Sequence, residues 1–375
     1  MRRRAGGGPS PTAERFEGET VRVLITGITG MAGSFLAEYL ADHHPNVEVF
    51  GTFRWRSKLD NLQDLRNSGK LNVLDEGQRI TDQASLRRFV RRGQVTVIDC
   101  ELQDGSAVRG VIRAVEPDKI FHLAAQSFVP TSWTAPAATL TNNIVSQVNL
   151  FEAVREAHID PVIHIAGSSE EYGLVYPDEA PITESNPLRP LSPYAVSKVG
   201  QEMLAIQYFR SYGTRCVVTR GFNHTGPRRG QVFATSSFAK QIAEIEAGLR
   251  QPVIEAGDLE SRRDWTDTRD MVRAYWLAAE RGEPGEVYNV GQGTCIAVGD
   301  MLDILLSHSN VQIAKEQDPS RMRPSDVRLL WANVDKFKKA TGWEPKIPFE
   351  TTMADLLGYW RERVRVLGLQ PVGFR

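Results

Sequence analysis

The chain has 375 residues, of which 41% are hydrophobic and 24% are charged, and its formal net charge is -1. This composition is typical of a globular protein with room for two domains, and the near-neutral charge argues against nucleic acid or an anionic membrane as the main partner. Cys100, Cys216 and Cys295 lack the spacing of a metal site or a disulfide framework, so we expect no metal site and a reducing, cytoplasmic compartment.

Residues 1–20 form a segment that we expect to be disordered. They hold a basic cluster, Arg2 to Arg4, followed by glycines and no apolar run. A secretory signal needs an apolar core, and no later stretch approaches the length of a membrane span. We interpret residues 1–20 as a tail or a start-site extension, and the clear fold pattern begins at Val21.

The first strand, turn and helix predict a dinucleotide site. Val21 to Thr26 has the β-branched pattern of a buried strand, and an amphipathic helix is expected over Phe35 to His43. Between them, glycines spaced G-x-x-G-x-x-G let the backbone bend sharply and approach a pyrophosphate at the N-terminus of the helix. The cofactor contacts predicted in this turn are Gly27, Thr29, Gly30, Met31 and Gly33.

The residue after the second strand indicates which nicotinamide cofactor is bound. Val47 to Phe53 predicts this strand, and Arg54 and Arg56 follow it. An acidic residue there would hold a ribose diol, whereas arginine suits a 2′-phosphate, so we expect NADP rather than NAD. The alternative is that both arginines are solvated loop charges. Trp55 between them could cover the adenine or a neighbouring subunit.

Strands and helices continue to alternate, which predicts an α/β fold with a doubly wound parallel sheet. The expected pairs are Val95 to Ile98 before Val108 to Val115, Lys119 to Ala124 before Ala138 to Arg155, and Val162 to Ala166 before the helix that follows Ser192. The ends of these strands should face the cofactor, and Glu101 could accept the adenine amino group there. Further cofactor contacts expected at these ends are Leu102, Leu123, Ala124, Ala125 and Ser127.

Two polar segments predict the chemistry. Tyr194 and Lys198 lie one turn apart on a predicted helix, and a cation beside a phenol favours the phenolate, which can act as a general base. The loop of Ser168, Ser169 and Glu170 should face Tyr194, with hydroxyls to bind a substrate hydroxyl and a buried carboxyl as a second base. Taken alone, these segments could be a surface pair and a turn of solvated residues.

These motifs together carry a family resemblance. The set comprises Gly27-x-x-Gly30-x-x-Gly33, Arg54, Gly167-Ser168-Ser169-Glu170, Tyr194-x-x-x-Lys198 and the segment from Gly221 to Gly230. It resembles the extended short-chain dehydrogenase/reductases that act on nucleotide sugars, and among them the GDP-mannose 4,6-dehydratases. The likeness covers nearly everything from Val21 to the last helix. It implies a Rossmann domain that binds NADP and a smaller C-terminal α/β domain that binds a nucleotide sugar.

The resemblance also implies catalytic roles. Tyr194 would be the base on the sugar 4-hydroxyl, and Lys198 would lower its pKa and hold the nicotinamide ribose. Ser168 would polarise the 4-hydroxyl, and Glu170 would remove the C5 proton during the loss of water. Ser169 matches a serine of the GDP-mannose enzymes.

The resemblance further implies a division of the chain. Residues 21–221, with a returning segment at about 266–292, would form the NADP-binding domain. Residues 222–265 and 293–375 would form the nucleotide-sugar-binding domain.

The substrate contacts implied by the resemblance lie mostly in the second domain. They are Ser127, Asn223, Arg228, Arg263, Arg323 and Asp326. Asn143 aligns with a structural asparagine of the superfamily and is included among the cofactor contacts. Helices are expected over Ser237 to Leu249 and Asp267 to Glu280, with a short strand at Tyr288 to Gly291.

The implied reaction is a dehydration of GDP-mannose to GDP-4-keto-6-deoxymannose, by oxidation at C4, elimination of water across C5 and C6, and return of the hydride to C6. The segment Phe222 to Pro227 also fits a GDP-4-keto-6-deoxymannose reductase, whereas Arg228-Arg229-Gly230 and Arg263-Asp264-Trp265 favour the dehydratase. Another nucleotide-sugar 4,6-dehydratase, a 4-epimerase and a catalytically idle nucleotide-binding regulator stay open. The resemblance also implies a homodimer or homotetramer. The GDP-mannose dehydratases use the region that matches Arg54 to Ser57 as a tetramer contact, and Trp55 here interrupts the paired arginines usual in that region.

Overall fold

The computed structural model describes residues 20–74, 80, 82–319 and 328–367. Arg323 and Asp326, two of the predicted substrate contacts, lie outside the described residues. The strands are β1 Val21–Thr26, β2 Val47–Phe53, β3 Leu71–Val73, β4 Val95–Asp99, β5 Lys119–His122, β6 Val162–Ala166, β7 Cys216–Gly221, β8 Asn223–Thr225, β9 Val253–Ala256, β10 Arg262–Arg263, β11 Trp265–Asp267, β12 Val287–Val290, β13 Ile296–Ala297, β14 Ala314–Gln317 and β15 Leu329–Leu330. The α-helices are α1 Met31–His43, α2 Gln63–Asn67, α3 Gln83–Arg87, α4 Gly105–Val115, α5 Val129–Thr134, α6 Pro136–Leu140, α7 Ser146–Glu156, α8 Pro193–Tyr212, α9 Ala234–Glu246, α10 Thr268–Arg281, α11 Val298–Ser307, α12 Asp335–Thr341 and α13 Phe349–Leu367.

In the described part of the chain, eight parallel strands form one sheet in the order β12-β7-β6-β5-β1-β2-β4-β3. The direction of chain progression reverses at β1, which has β2 on one side and β5 on the other. Loops that leave the two sides of such a switch point open a crevice for a ligand. The predicted doubly wound, Rossmann-type sheet is therefore confirmed.

The first strand shows how the sequence buries both faces of the sheet. Val23 and Ile25 pack with helices α1, α10 and α12 on one face. Leu24 packs with α4, α7 and α8 on the other face. Because successive side chains of a strand point to opposite faces, an apolar run without alternation is what a strand covered on both sides requires.

A second apolar core lies outside the main sheet. Helices α9, α11 and α13 pack around strand β9, and the buried side chains include Phe238, Ile254, Met301 and Leu356. The chain enters this region after β7 and returns to the main sheet through α10 and β12, which pairs with β7. Residues far apart in sequence therefore enclose one cleft.

The structure corrects several predicted element boundaries. Strands β3 and β7 were not predicted. The single helix expected over Ala138 to Arg155 is two α-helices joined by a π-helical turn, Thr141–Val145. The helix expected over Ser237 to Leu249 begins and ends three residues earlier, at Ala234 and Glu246. Among the residues described, no helix is long and apolar enough to cross a membrane.

Candidate active site

A cleft of about 1130 Å³ runs along the carboxyl ends of the parallel strands. One wall comes from the loops after β1, β2, β4, β5 and β6, and the opposite wall from residues 221–265. Typical small-molecule pockets have volumes of roughly 300–1,000 Å³. The cleft is therefore large enough to hold a cofactor and a substrate together.

The glycine turn after β1 forms a close-fitting cradle at one end of the cleft. Gly27 has φ +71°, and a Cβ there would lie 2.8 Å from Ala124 Cα. A Cβ on Gly33 would lie 2.5 Å from the Gly27 carbonyl oxygen. Helix α1 begins at Met31 without a side-chain cap, so its first N–H groups face the cleft and suit a pyrophosphate.

The predicted cofactor contacts largely meet at this end. The cleft is lined by Gly27, Thr29, Gly30, Met31, Gly33, Arg54, Glu101, Leu102, Leu123, Ala124, Ala125 and Ser127. Arg54, Arg56 and Ser57 follow β2 at the same end, and Arg56 lies 3.9 Å from Glu101. Trp55 is 72% exposed and does not line the cleft. The cradle, the uncapped helix and the two arginines fit a phosphorylated dinucleotide.

Asn143 is the exception among the predicted cofactor contacts. It is fully buried and does not line the cleft. Its amide accepts a hydrogen bond from Gln126 N at 2.8 Å and donates to Ser197 Oγ at 2.8 Å. Asn143 therefore ties the strand end after β5 to helix α8, and its predicted direct contact with the cofactor is corrected to an indirect one.

Helix α8 places Tyr194 and Lys198 in the cleft wall. Ser192 caps the helix by accepting a hydrogen bond from Ala195 N at 3.1 Å, and Pro193 occupies the first helical position. Tyr194 then falls in the first turn and Lys198 one turn later, and both side chains are buried and line the cleft. The structure thus places the pair in the same cleft as the Ser168 loop, as the sequence predicts.

The electrostatics of the pair differ from the sequence-based expectation. Burial raises the pKa of Tyr194 to about 12, and a hydrogen bond from Ser168 and the charge of Arg229 only partly oppose that rise. Burial also lowers the pKa of Lys198 to about 8, and Lys198 Nζ donates to the Ala166 carbonyl at 2.8 Å. The structure by itself therefore does not show the expected lowering of the phenol pKa, because burial outweighs the charge of Arg229.

The loop after β6 forms a short 3₁₀ turn, Ser169–Glu171, that faces Tyr194 across the cleft. Ser168 caps this turn, and its Oγ accepts a hydrogen bond from Glu170 N at 3.2 Å. Ser168, Ser169 and Glu170 all line the cleft. Glu170 is only half-buried, whereas the neighbouring Glu171 is fully buried. The expectation of a buried Glu170 is corrected, because the turn directs Glu171 inward instead.

The two adjacent arginines of the 227–230 segment have opposite placements. Arg228 has φ +68° and lies outside the cleft, where its guanidinium donates to Glu38 Oε1 at 2.8 Å and to Asp64 Oδ2 at 2.5 Å. Arg229 lines the cleft and lies over the Phe233 ring at 3.5 Å. Arg228 thus lines only an adjoining pocket, with Thr29 and Ser57, and Arg229 is the arginine that lines the main cleft.

One further residue of the cleft lining was not singled out by the sequence analysis. Asn223 and Arg263 line the cleft as predicted, and Ser127 lines it from the first wall. Tyr275 of α10 also lines it, and burial raises the pKa of its phenol. Burial lowers the pKa of Arg229 to about 10, with Tyr194 and Tyr275 opposing that shift. No motif identified Tyr275, since its position in the sequence is that of an ordinary aromatic residue on the buried face of a helix.

Comparisons with known proteins give a consistent result. The model of the family described as GDP-mannose 4,6 dehydratase matches residues 24–356. GDP-6-deoxy-D-mannose reductase of Pseudomonas aeruginosa is 34% identical over 249 residues, which cover 66% of this chain and 82% of that protein. GDP-mannose 4,6 dehydratase 1 of Arabidopsis thaliana is 32% identical over 333 residues, which cover 87% of this chain and 86% of that protein. A solved structure of RMD from Pseudomonas aeruginosa, complexed with NADPH, superposes with a TM-score of 0.76 at 28% identity and covers 92% of this chain and 100% of that chain.

Proposed function

The chain belongs to the GDP-mannose 4,6 dehydratase family, and from this premise we propose that it removes water from GDP-mannose to give GDP-4-keto-6-deoxymannose. The observation that carries the proposal is the meeting of Tyr194, Ser168 and Glu170 on one cleft with the dinucleotide cradle. An oxidation followed by an elimination needs a base near C4, a base near C5 and a hydride acceptor beside both. This cleft can supply all three.

The residues divide the reaction between them. Tyr194 takes the proton of the sugar 4-hydroxyl, which Ser168 orients through its own hydroxyl. The new C4 ketone acidifies the C5 hydrogen, and Glu170 takes that proton and passes it to the departing 6-hydroxyl, which leaves as water. A nicotinamide dinucleotide held in the glycine cradle would supply hydride storage between C4 and C6, so no external reductant would be consumed. C5 regains a proton as C6 is reduced, which balances the proton that Tyr194 took from the 4-hydroxyl.

The cofactor is a nicotinamide dinucleotide, and we assign it as NADP. Arg54, Arg56 and Ser57 surround the end of β2, where an adenosine 2′-phosphate would lie. The guanidinium fork suits phosphate oxygens better than a ribose diol. The solved relative complexed with NADPH supports the same assignment.

The substrate is a nucleotide sugar, and we assign its diphosphate to the second wall. Arg229 and Arg263 face the cleft there, with Asn223 beside them. In this scheme residues 21–221 with 266–292 bind the dinucleotide, and residues 222–265 and 293–375 bind the nucleotide sugar.

We expect the protein to assemble as a homodimer or homotetramer. Val145, Val196 and Met203 are apolar side chains that are 38%, 45% and 45% exposed. Val196 and Met203 lie on one helix, α8, and Val145 lies just before α7. Exposed apolar side chains of this kind favour contact with a second copy.

The proposed function is tested by incubating the protein with GDP-mannose and NADP without added NADPH and following the nucleotide sugar by mass spectrometry. Loss of one water per substrate is expected. Recovery of unchanged GDP-mannose would contradict the dehydratase assignment. A Tyr194→Phe variant serves as the control for background breakdown.

A second function is supported by one relative. The GDP-6-deoxy-D-mannose reductase of Pseudomonas aeruginosa matches over 82% of its own length at 34% identity. In that case the same Tyr194 would give a proton to the C4 oxygen while hydride is delivered to C4. Oxidation of NADPH on addition of GDP-4-keto-6-deoxymannose, together with no action on GDP-mannose, would favour this function.

A further inference from the structure

A buried carboxyl group lies directly beneath the catalytic loop, and the proposed reaction does not use it. Glu171 is 0% exposed, and its Oε1 accepts a hydrogen bond from Ser168 N at 2.7 Å. Gly167 makes room for it, since a Cβ there would lie 2.8 Å from the same oxygen. Glu171 therefore holds the backbone of Ser168, which lines the cleft together with Tyr194.

The two carboxylate oxygens of Glu171 differ in their hydrogen bonding. Among the residues described, Glu171 Oε2 makes no hydrogen bond. Arg220 Nε lies 3.8 Å from it, which is beyond hydrogen-bonding distance. A buried carboxylate oxygen left in this state is costly, and native structures rarely retain one without a reason.

Arg220 is already committed to another carboxylate. Its Nε and Nη2 donate to Glu202 at 2.8 and 2.6 Å, forming a bidentate pair, and Glu202 is 1% exposed. Its Nη1 donates to Tyr172 Oη at 2.7 Å and to the Glu184 carbonyl at 3.1 Å. The positive charge of Arg220 is therefore balanced by Glu202, and an ionised Glu171 would add an unmatched negative charge to the cluster.

The charged and titratable groups around Glu171 come from two elements. Helix α8 contributes Glu202, Lys198 and Tyr194, and strand β7 contributes Arg220. Glu202 Oε2 and Glu171 Oε2 share one neighbour, Arg220 Nε, at 2.8 and 3.8 Å. A proton on Glu171 Oε2 would turn the unpartnered acceptor into a donor, for which the Glu202 carboxylate beside the same Arg220 Nε is a suitable acceptor. It would also remove the unmatched charge.

We propose that Glu171 positions the catalytic loop as a neutral carboxylic acid, whose Oε1 holds the Ser168 N–H and whose Oε2–H donates to Glu202. Burial raises the pKa of Glu171, with Glu202 acting in the same direction and Arg220 opposing it, which is consistent with the neutral form. Glu171 does not line the cleft, whereas Ser168 does, so Glu171 acts through Ser168.

The protonation state is tested by infrared spectroscopy on the full chain near pH 7. The wild-type minus Glu171→Gln difference spectrum is expected to show the carbonyl stretch of a protonated carboxylic acid. Glu179→Gln is the matched control, since its hydrogen bond with Arg189 lowers the pKa of Glu179 to about 2 and its difference spectrum should show carboxylate bands only. Carboxylate bands alone for Glu171 would overturn the proposal.

The positioning role is tested by kinetics, and this part rests on the proposed function. Glutamine keeps an acceptor for Ser168 N and places an N–H where the acid proton would be, so Glu171→Gln should keep kcat and KM close to wild type. Glu171→Leu fills the space without an acceptor, and a misplaced Ser168 should lower kcat by about 100-fold while KM changes little. Glu179→Gln should match the wild type in both values.

The outcomes separate the two proposals. If the wild type turns over and Glu171→Leu is unimpaired, the positioning role is overturned and the dehydratase assignment stands. The same holds if Glu171→Gln is as impaired as Glu171→Leu. If Glu171→Leu does not fold, the Glu171→Gln kinetics and the infrared result still decide. If the wild type does not act on GDP-mannose, the proposed function fails and the infrared measurement still tests the protonated acid.

Discussion

Replacing Gly27 of the cradle by alanine should reduce both stability and dinucleotide binding, and Gly69 provides a control with the same backbone conformation but no steric contact. Gly27 and Gly69 have nearly the same φ, +71° and +70°. A Cβ on Gly27 would lie 2.8 Å from Ala124 Cα, whereas a Cβ on Gly69 meets nothing within 4 Å. Alanine at either position therefore carries the same left-handed strain, but only Gly27→Ala adds a collision between two strand ends.

The expected magnitudes follow from these two contributions. The left-handed conformation costs an L-residue about 1–2 kcal/mol, so Gly69→Ala should lower the free energy of unfolding by about that amount. The collision at Gly27 should add about 1–3 kcal/mol, the usual cost of an overpacked site. The collision would displace the loops after β1 and β5. If dinucleotide binding must bring them back, the same energy is lost from binding, and dinucleotide affinity should fall by roughly five- to 150-fold in Gly27→Ala.

The assays are urea unfolding for stability and fluorescence titration with NADP and NAD for affinity. Gly69 lies between α2 and β3, away from the cleft lining, so Gly69→Ala should leave dinucleotide affinity unchanged. Equal losses of stability in the two variants, or wild-type affinity in Gly27→Ala, would refute the argument that the approach of Gly27 to Ala124 shapes the cofactor site.

Three further predictions test other parts of the site. Glu170→Gln should still exchange hydride at C4 but lower the rate of water loss by about 10²- to 10⁴-fold, which isotope exchange and product mass can separate; normal dehydration would remove Glu170 from the mechanism. Arg229→Gln should raise KM for GDP-mannose. Arg228→Gln should instead lower the urea midpoint and leave KM unchanged, since Arg228 binds Glu38 rather than facing the cleft. The reverse pattern would contradict the assignment. Burial raises the pKa of Asp264 from 3.8 to about 7, so between these pH values the folded chain binds more protons and wild-type stability should fall as pH rises. Unfolding of Asp264→Asn should lack this component, and identical pH dependence in the two proteins would disprove it.

The Rossmann half could be predicted because its signals are local. Apolar β-branched runs, the glycine turn and alternating helices each act over a few residues, and together they favour only one arrangement. Strand β3 escaped prediction because it is three residues long. Strand β7, Cys216–Gly221, was missed because its apolar part is short and runs directly into the motif that begins at Gly221.

A sequence motif predicts which segment of the chain reaches the cleft. It does not predict which of two adjacent side chains in that segment points into it. Arg228 and Arg229 are adjacent and chemically identical, and the positive φ of Arg228 sends their side chains to different surroundings. Glu170 and Glu171 differ in the same way, since the 3₁₀ turn buries one and leaves the other at the cleft. Such choices depend on backbone dihedral angles, which spacing in the sequence does not report.

The pairing of β7 with β12 has a consequence for anyone who wishes to study the dinucleotide-binding half by itself. A fragment that stopped at Gly221 would lack Val287–Val290 and would leave Cys216–Gly221 as an exposed edge strand, although all six of its residues are buried in the intact protein. An apolar strand with unpaired N–H and C=O groups pairs readily with other chains and aggregates. A well-behaved fragment therefore needs α10 and β12 rejoined to β7 by a short linker.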